Sequence, residues 1–190
     1  MKLVALTGLL AILGASLVAM AKDEGTELKA TLRGFEEVGS ISTGASGSFR
    51  GEISQDGRSI SYTLSYSGLE GDVRQSHIHL GQRGVSGGIV VFLCQTTFNP
   101  DETGLAPTCP QFGTVTGTLT KANVTNRATA QGIEATPTAP AGTTDAEFAE
   151  FVKAIRAGVT YVNVHSANAG GVATKFNSGE IRGQIKADDD

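Results

Sequence analysis

GSFRGEI at Gly47–Ile53 returns as GTVTGTL at Gly113–Leu119 and as GEIRGQI at Gly179–Ile185. In each copy a glycine and a large apolar residue occupy every second position, in the pattern G-x-h-x-G-x-h. Successive side chains of an extended chain point to opposite faces, so these positions share one face as a small–large–small–large stripe. Glycine weakens a strand, and its repetition predicts close approach of a neighbouring chain or large side chains from a facing sheet. The residues between, such as Arg50 and Glu52 or Glu180 and Arg182, are expected to face water. Three copies this far apart make a recurring packing device rather than a solenoid, and imply no ligand.

The same period recurs elsewhere. Leu28, Ala30 and Leu32 alternate with polar residues in ELKATLR, Ile60, Tyr62 and Leu64 in SISYTLS, and Val162 and Val164 in TYVNVH. These runs predict strands with one buried face. GIVVFLC (Gly88–Cys94) is apolar without alternation, as expected of a strand covered on both faces. One helix is predicted. Thr144-Asp-Ala-Glu147 forms a capping box, Phe148, Phe151, Val152 and Ile155 make one apolar stripe, and Gly158 supplies the stop. Lys121–Gly132, with a short strand, and the Pro/Ala/Thr-rich stretch Ala135–Thr144 read as peripheral. Asp188–Asp190 reads as a solvated tail. The expected fold is an all-β antiparallel sandwich, Greek-key or superoxide-dismutase-like, with one peripheral α-helix.

Residues 1–21, MKLVALTGLLAILGASLVAMA, have one Lys, an apolar run and the small-x-small ending Ala19-Met20-Ala21. That is the pattern of a secretory signal peptide, leaving 22–190 as a single domain that is secreted or periplasmic. No later segment has the apolar length of a membrane span. The formal charge of −4 excludes the basic field that nucleic acid or an anionic membrane surface requires. Cys94 and Cys109 allow one intramolecular pairing, expected in an exported chain. Between them lies QTTFNPDETGLAPT, rich in turn signals, so the bridge would pin a loop rather than the core. Asn123-Val-Thr125 matches a glycosylation sequon and is read as coincidence.

HIHLGQRGVSGGIVVFLC (His77–Cys94), CPQFGTVTGTLT (Cys109–Thr120), EFAEFVKAIRAGVTYVNVHS (Glu147–Ser166) and SGEIRGQI (Ser178–Ile185) together resemble the CHRD domain, first named from repeats in chordin, in its bacterial single-domain type. The resemblance covers most of residues 26–186 and implies an extracellular all-β domain. In chordin such domains belong to an antagonist of growth factors, a multidomain setting this chain lacks, so growth-factor binding is not carried over. Ala167–Asn177 is inserted relative to the simplest pattern and reads as a longer hairpin loop.

One constellation suggests chemistry. His77 and His79 share a strand face, and His165 ends VTYVNVH on the face it shares with Tyr161 and Asn163. If the two strands meet, three imidazoles converge in a set suited to zinc or copper, with copper prevailing at equal availability. The spacing equally allows a polar sheet face, bonded to backbone or to carboxylates such as Asp72. Asp72, Gln75 and Asn163 are candidates to support the ligands. The H-x-H strand is similar to that of copper/zinc superoxide dismutase, which needs a bridging His and more ligands than three histidines provide. No G-x-S-x-G elbow, phosphate loop or acid/base pair is present; Glu36-Glu37 and Asp101-Glu102 splay their carboxylates to opposite sides of an extended chain. The sequence therefore predicts a binding module with His77, His79 and His165 as ligands for copper or zinc. The alternatives are a metal-dependent redox enzyme, or a structural or adhesive domain that contacts an extracellular protein. Tyr66, Phe98, Phe112 and Phe176 are left as either interface or core aromatics.

Overall fold

The computed structural model describes residues 25–128, 132–133, 145–167, 176 and 179–188. Its strands are β1 (Thr26–Arg33), β2 (Ser46–Ile53), β3 (Ile60–Ser67), β4 (Asp72–Leu80), β5 (Gly88–Cys94), β6 (Gly113–Leu119), β7 (Thr160–Ala167), β8 (Ile181–Gln184) and β9 (Lys186–Asp188), with one α-helix, α1 (Asp145–Arg156). They form one antiparallel sheet in the order β5-β4-β7-β8-β1-β2-β3-β6, with β9 also paired to β1. The sheet curls into a nearly closed sandwich. Its two ends come together where Val124, just beyond β6, bridges Val91 of β5, and Thr125 N donates to Val90 O. That contact covers the edge of GIVVFLC, which is buried from Val90 to Cys94. The segment from Lys121, expected to be peripheral and partly strand, is instead a short 3-10 turn (Lys121–Asn123) followed by this bridge. Val124, Ala128 and Ile133 belong to the core.

The glycine repeat has a specific cause. Tyr62 of β3 stands between Gly51 of β2 and Gly117 of β6, and Tyr66 between Gly47 and Gly113. A Cβ at Gly117 would lie 2.6 Å from Tyr62 Oη, so only glycine admits the ring lying across it. The large partners are thus in the neighbouring strand of the same sheet. Phe49, Leu64 and Val115 fill the next row, then Ile53, Ile60 and Leu119, all facing the core. Both tyrosines cross the core to hold the disulfide loop, Tyr62 Oη donating to Leu93 O at 2.6 Å and Tyr66 Oη to Pro110 O at 2.5 Å.

Cys94 and Cys109 are bonded. Inside their loop Asp101 is buried and accepts from the amides of Thr103, Leu105 and Ala106, so the turn is organised by backbone hydrogen bonds as well as by the bridge. In α1, Phe148, Phe151, Val152 and Ile155 are buried in the main core; Thr144, the expected cap, lies outside the described residues. The leader and most of 167–177 also lie outside them. Asp188 is not solvated tail: it ends β9 and pairs with Lys29 at 2.6 Å. Among the described residues no helix is long and apolar enough to cross a membrane.

Candidate metal centre

β4 and β7 pair with His77 opposite Asn163, His79 opposite Tyr161 and Gln75 opposite His165. Period-2 alternation sends Ile78, Val162 and Val164 into the main core and the histidines to the other face. That second face is covered as well. His77 is fully buried, His79 nearly so, and Phe92, Tyr161 and Phe176 are buried outside the main core cluster.

One ligand nitrogen from each of His77, His79 and His165 lies within 4.8 Å of the other two. The His77 ring centre is 5.2 Å from that of His79 and 5.1 Å from that of His165. Nitrogens sharing one ion with bonds near 2 Å stand about 3.3 Å apart in a tetrahedral arrangement, so one ion requires the nitrogens to close by up to about 1.5 Å. Both ring nitrogens of His77 are buried and have no hydrogen-bond partner among the described residues. Phe92 meets the same ring edge-on at 4.4 Å between centres.

His79 is held by its neighbours. Its Nδ1 lies 3.0 Å from Gly87 O, in the turn between β4 and β5, and its Nε2 lies 3.0 Å from the Asn163 amide oxygen. A carbonyl only accepts, so in the neutral ring Nδ1 carries the proton and Nε2 a lone pair. That lone pair is matched by the Asn163 amide turned to present its N–H, or by a metal ion. Tyr161 stacks on His79 with centres 4.7 Å apart, and the Arg182 guanidinium lies 3.3 Å over the Tyr161 ring.

Burial sets the protonation of the cluster. It drives His77 well below the ordinary histidine value, helped by His165, His79 and Arg127 and opposed by Asn163. Asn163 gives that opposing field without a well-formed bond to His77, its oxygen facing His79 instead. His79 is pushed down to about 4, again chiefly by burial, with the contacts to Gly87 and Asn163 opposing. Both rings are therefore neutral near pH 7 and present lone pairs. Glu37, buried beyond Asn163, is raised to about 7 by burial against the opposing pull of Arg182 and Asn163.

Several sequence expectations change here. Glu180 and Arg182 do not face water; both are buried. The Glu180 carboxylate accepts from Thr43 Oγ1 at 2.7 Å, the Glu70 amide at 2.9 Å and Ser166 Oγ, while Arg182 flanks the histidine site. Asp72 is exposed at the start of β4 opposite Ala167. Gln75 is on the histidine face opposite His165, and Asn163 is a direct neighbour of His79. Glu36 and Glu37 do splay, Glu36 pairing with Arg83 at 2.5 Å and Glu37 turning inward. Glu37, Arg182 and the Gly87 carbonyl were not legible as site residues, since each reaches the cluster only through the fold. Of the four aromatics, Tyr66 and Phe176 are buried and Phe98 and Phe112 exposed. A cleft of about 420 Å³ opens elsewhere, on the outer face of β1 and β2 beside Lys29, Arg33, Arg50 and Lys186. Within the triad His77 and His79 are buried and His165 is half-buried.

No curated protein matches the chain in sequence. The family model for the CHRD domain matches residues 28–185, a span that runs from β1 through β8 and includes all three histidines and both cysteines. The chain belongs to the CHRD domain family.

Proposed function

We propose that this CHRD-family binding module holds a transition-metal ion, copper rather than zinc, through His77, His79 and His165. The observation that carries the reading is His77, a fully buried ring neither of whose nitrogens finds a hydrogen-bond partner among the described residues. Leaving such groups unsatisfied costs about 1–3 kcal/mol each, and an ion that accepts a lone pair from each of the three rings removes the acceptor nitrogen's share of that cost. Copper stands above zinc in affinity for nitrogen ligands of equal geometry. The burial of two of the three ligands, His77 and His79, supports holding the ion rather than turning over a substrate, because a catalytic ion needs an open position. The leader-like residues 1–21 and the disulfide support export to an oxidising compartment, secreted or periplasmic.

The test is titration of the metal-free protein with copper and zinc ions, wild type against His79→Ala and His77→Leu. One ion per wild-type chain, weakened at least about a hundred-fold in either variant, is the expected result. Absence of stoichiometric binding by the folded wild type overturns the reading.

A further inference from the structure

We infer that the triad selects a soft monovalent cation, Cu⁺ with Ag⁺ as its redox-inert analogue, over the divalent ions Cu²⁺ and Zn²⁺; this rests on the metal-site reading above. The three donors are neutral imidazoles, and none brings a negative charge. The described charges that lower the two buried rings are cations, Arg182 on His79 and, more weakly, Arg127 on His77, the latter exposed and paired with Glu102 at 3.4 Å. Arg182 is placed there by geometry, lying over Tyr161, which stacks on His79. Glu37 is separated from the rings by Asn163 and is held against Arg182, so its charge is already compensated. Residues 168–178, which follow β7, contain no Asp, Glu, Cys, His or Met, and their one charged residue is Lys175.

Aromatic rings form part of the walls around these donors, Phe92 on His77 and Tyr161 on His79, and the polar neighbours, Asn163 and the Gly87 carbonyl, are uncharged. The cost of moving an ion from water into such surroundings grows with the square of its charge, so a dication meets about four times the penalty of a monocation of similar size. Each nearby arginine also repels it twice as strongly. A dication normally recovers this through anionic ligands or additional water, and the cluster offers three neutral nitrogens, with His77 and His79 buried and His165 half-buried. Three neutral donors suffice for Cu⁺, which accepts low coordination numbers.

The experiment uses the folded, metal-free protein. Cu⁺ affinity is measured anaerobically by competition with a chromophoric Cu⁺ chelator, Cu²⁺ and Zn²⁺ affinities with divalent chelators, and Ag⁺ by calorimetry. Cu⁺ and Ag⁺ are expected to bind one per chain, more than about a hundred-fold tighter than Zn²⁺ and tighter than Cu²⁺. Arg127→Gln changes an exposed side chain and should strengthen divalent binding by twice as many logarithmic units as monovalent binding. Cu²⁺ or Zn²⁺ binding as tightly as Cu⁺ overturns the charge selection and leaves the metal site standing. Equal gains for both charge classes in Arg127→Gln overturn it too. Binding of no ion at all removes the metal-site reading itself.

Discussion

Replacing His77 by leucine should stabilise the metal-free protein while abolishing its response to metal. The His77 ring is fully buried, and its donor and its acceptor both lack partners. Each orphaned group costs about 1–3 kcal/mol, and removing both together with the ring that carries them recovers that cost. Against this stand the lost edge-on contact with Phe92, worth about 1 kcal/mol, and imperfect packing of the new side chain, about 1 kcal/mol. The net expectation is a gain of about 2 kcal/mol, in a range of about 0–4 kcal/mol, and a rise in melting temperature of about 2–4 °C per kcal/mol for a chain of this size. Urea unfolding with a chelator present gives the number, read from a higher midpoint at an unchanged slope. With the metal at about a hundred times its dissociation constant, the wild type gains about 2.7 kcal/mol and the variant none, so the order of stabilities narrows or reverses. A metal-free variant less stable than wild type by 2 kcal/mol or more, still stabilised by metal, would refute the reasoning. It would mean that the ring is satisfied within the fold and is not a ligand.

Acid titration of the metal-free protein tests the pKa shifts with opposite signs. His79 is lowered to about 4, so its contribution is present above the unfolded value near 6.5 and is lost as pH falls towards 4; Glu37 is raised to about 7, so its contribution is present below the ordinary carboxylate range and is lost as pH rises through 7. With His77 also lowered, stability should fall between pH 6.5 and 5 by about one proton's worth, 1.4 kcal/mol per pH unit, and by about two in Glu37→Gln; urea midpoints showing no difference between the two proteins would contradict the assignment. Reducing Cys94–Cys109, 15 residues apart, should lower stability by about 3 kcal/mol and leave the sheet intact, as read from unfolding and circular dichroism with and without a reductant. Gly117→Val places a branched side chain against Tyr62 and should destabilise by about 1–3 kcal/mol; an unchanged melting temperature would show that the tyrosine does not lean on the glycine. Gly179 sits at φ +123° beside Glu37 and Asn163, so Gly179→Ala should both destabilise the fold by about 1–3 kcal/mol and weaken metal binding, measured by melting and by titration.

By itself the sequence determined whatever depends on neighbours along the chain. Alternation over a few residues placed Leu28, Phe49, Ile60, Val115 and Val162 on buried faces, and the spacing of Phe148, Phe151, Val152 and Ile155 defined the helix stripe. The same local rule put His77 and His79 on one face and His165 beside Asn163 and Tyr161, which left only the pairing of β4 with β7 to be established. Tertiary structure decided what surrounds each of those faces. Alternation assigns a residue to a side of a strand but says nothing of whether that side meets water, which is why Arg182 and Glu180 proved buried while Arg50 and Glu52, in the same motif, are exposed or nearly so. Glu37 comes from a turn after β1, Arg182 from β8 and the Gly87 carbonyl from the β4–β5 turn, and they gather at the histidines because the curled sheet brings distant segments together. The burial of His77 and His79, and with it their neutrality, arises from that curling of the sheet; no stretch of sequence carries it alone.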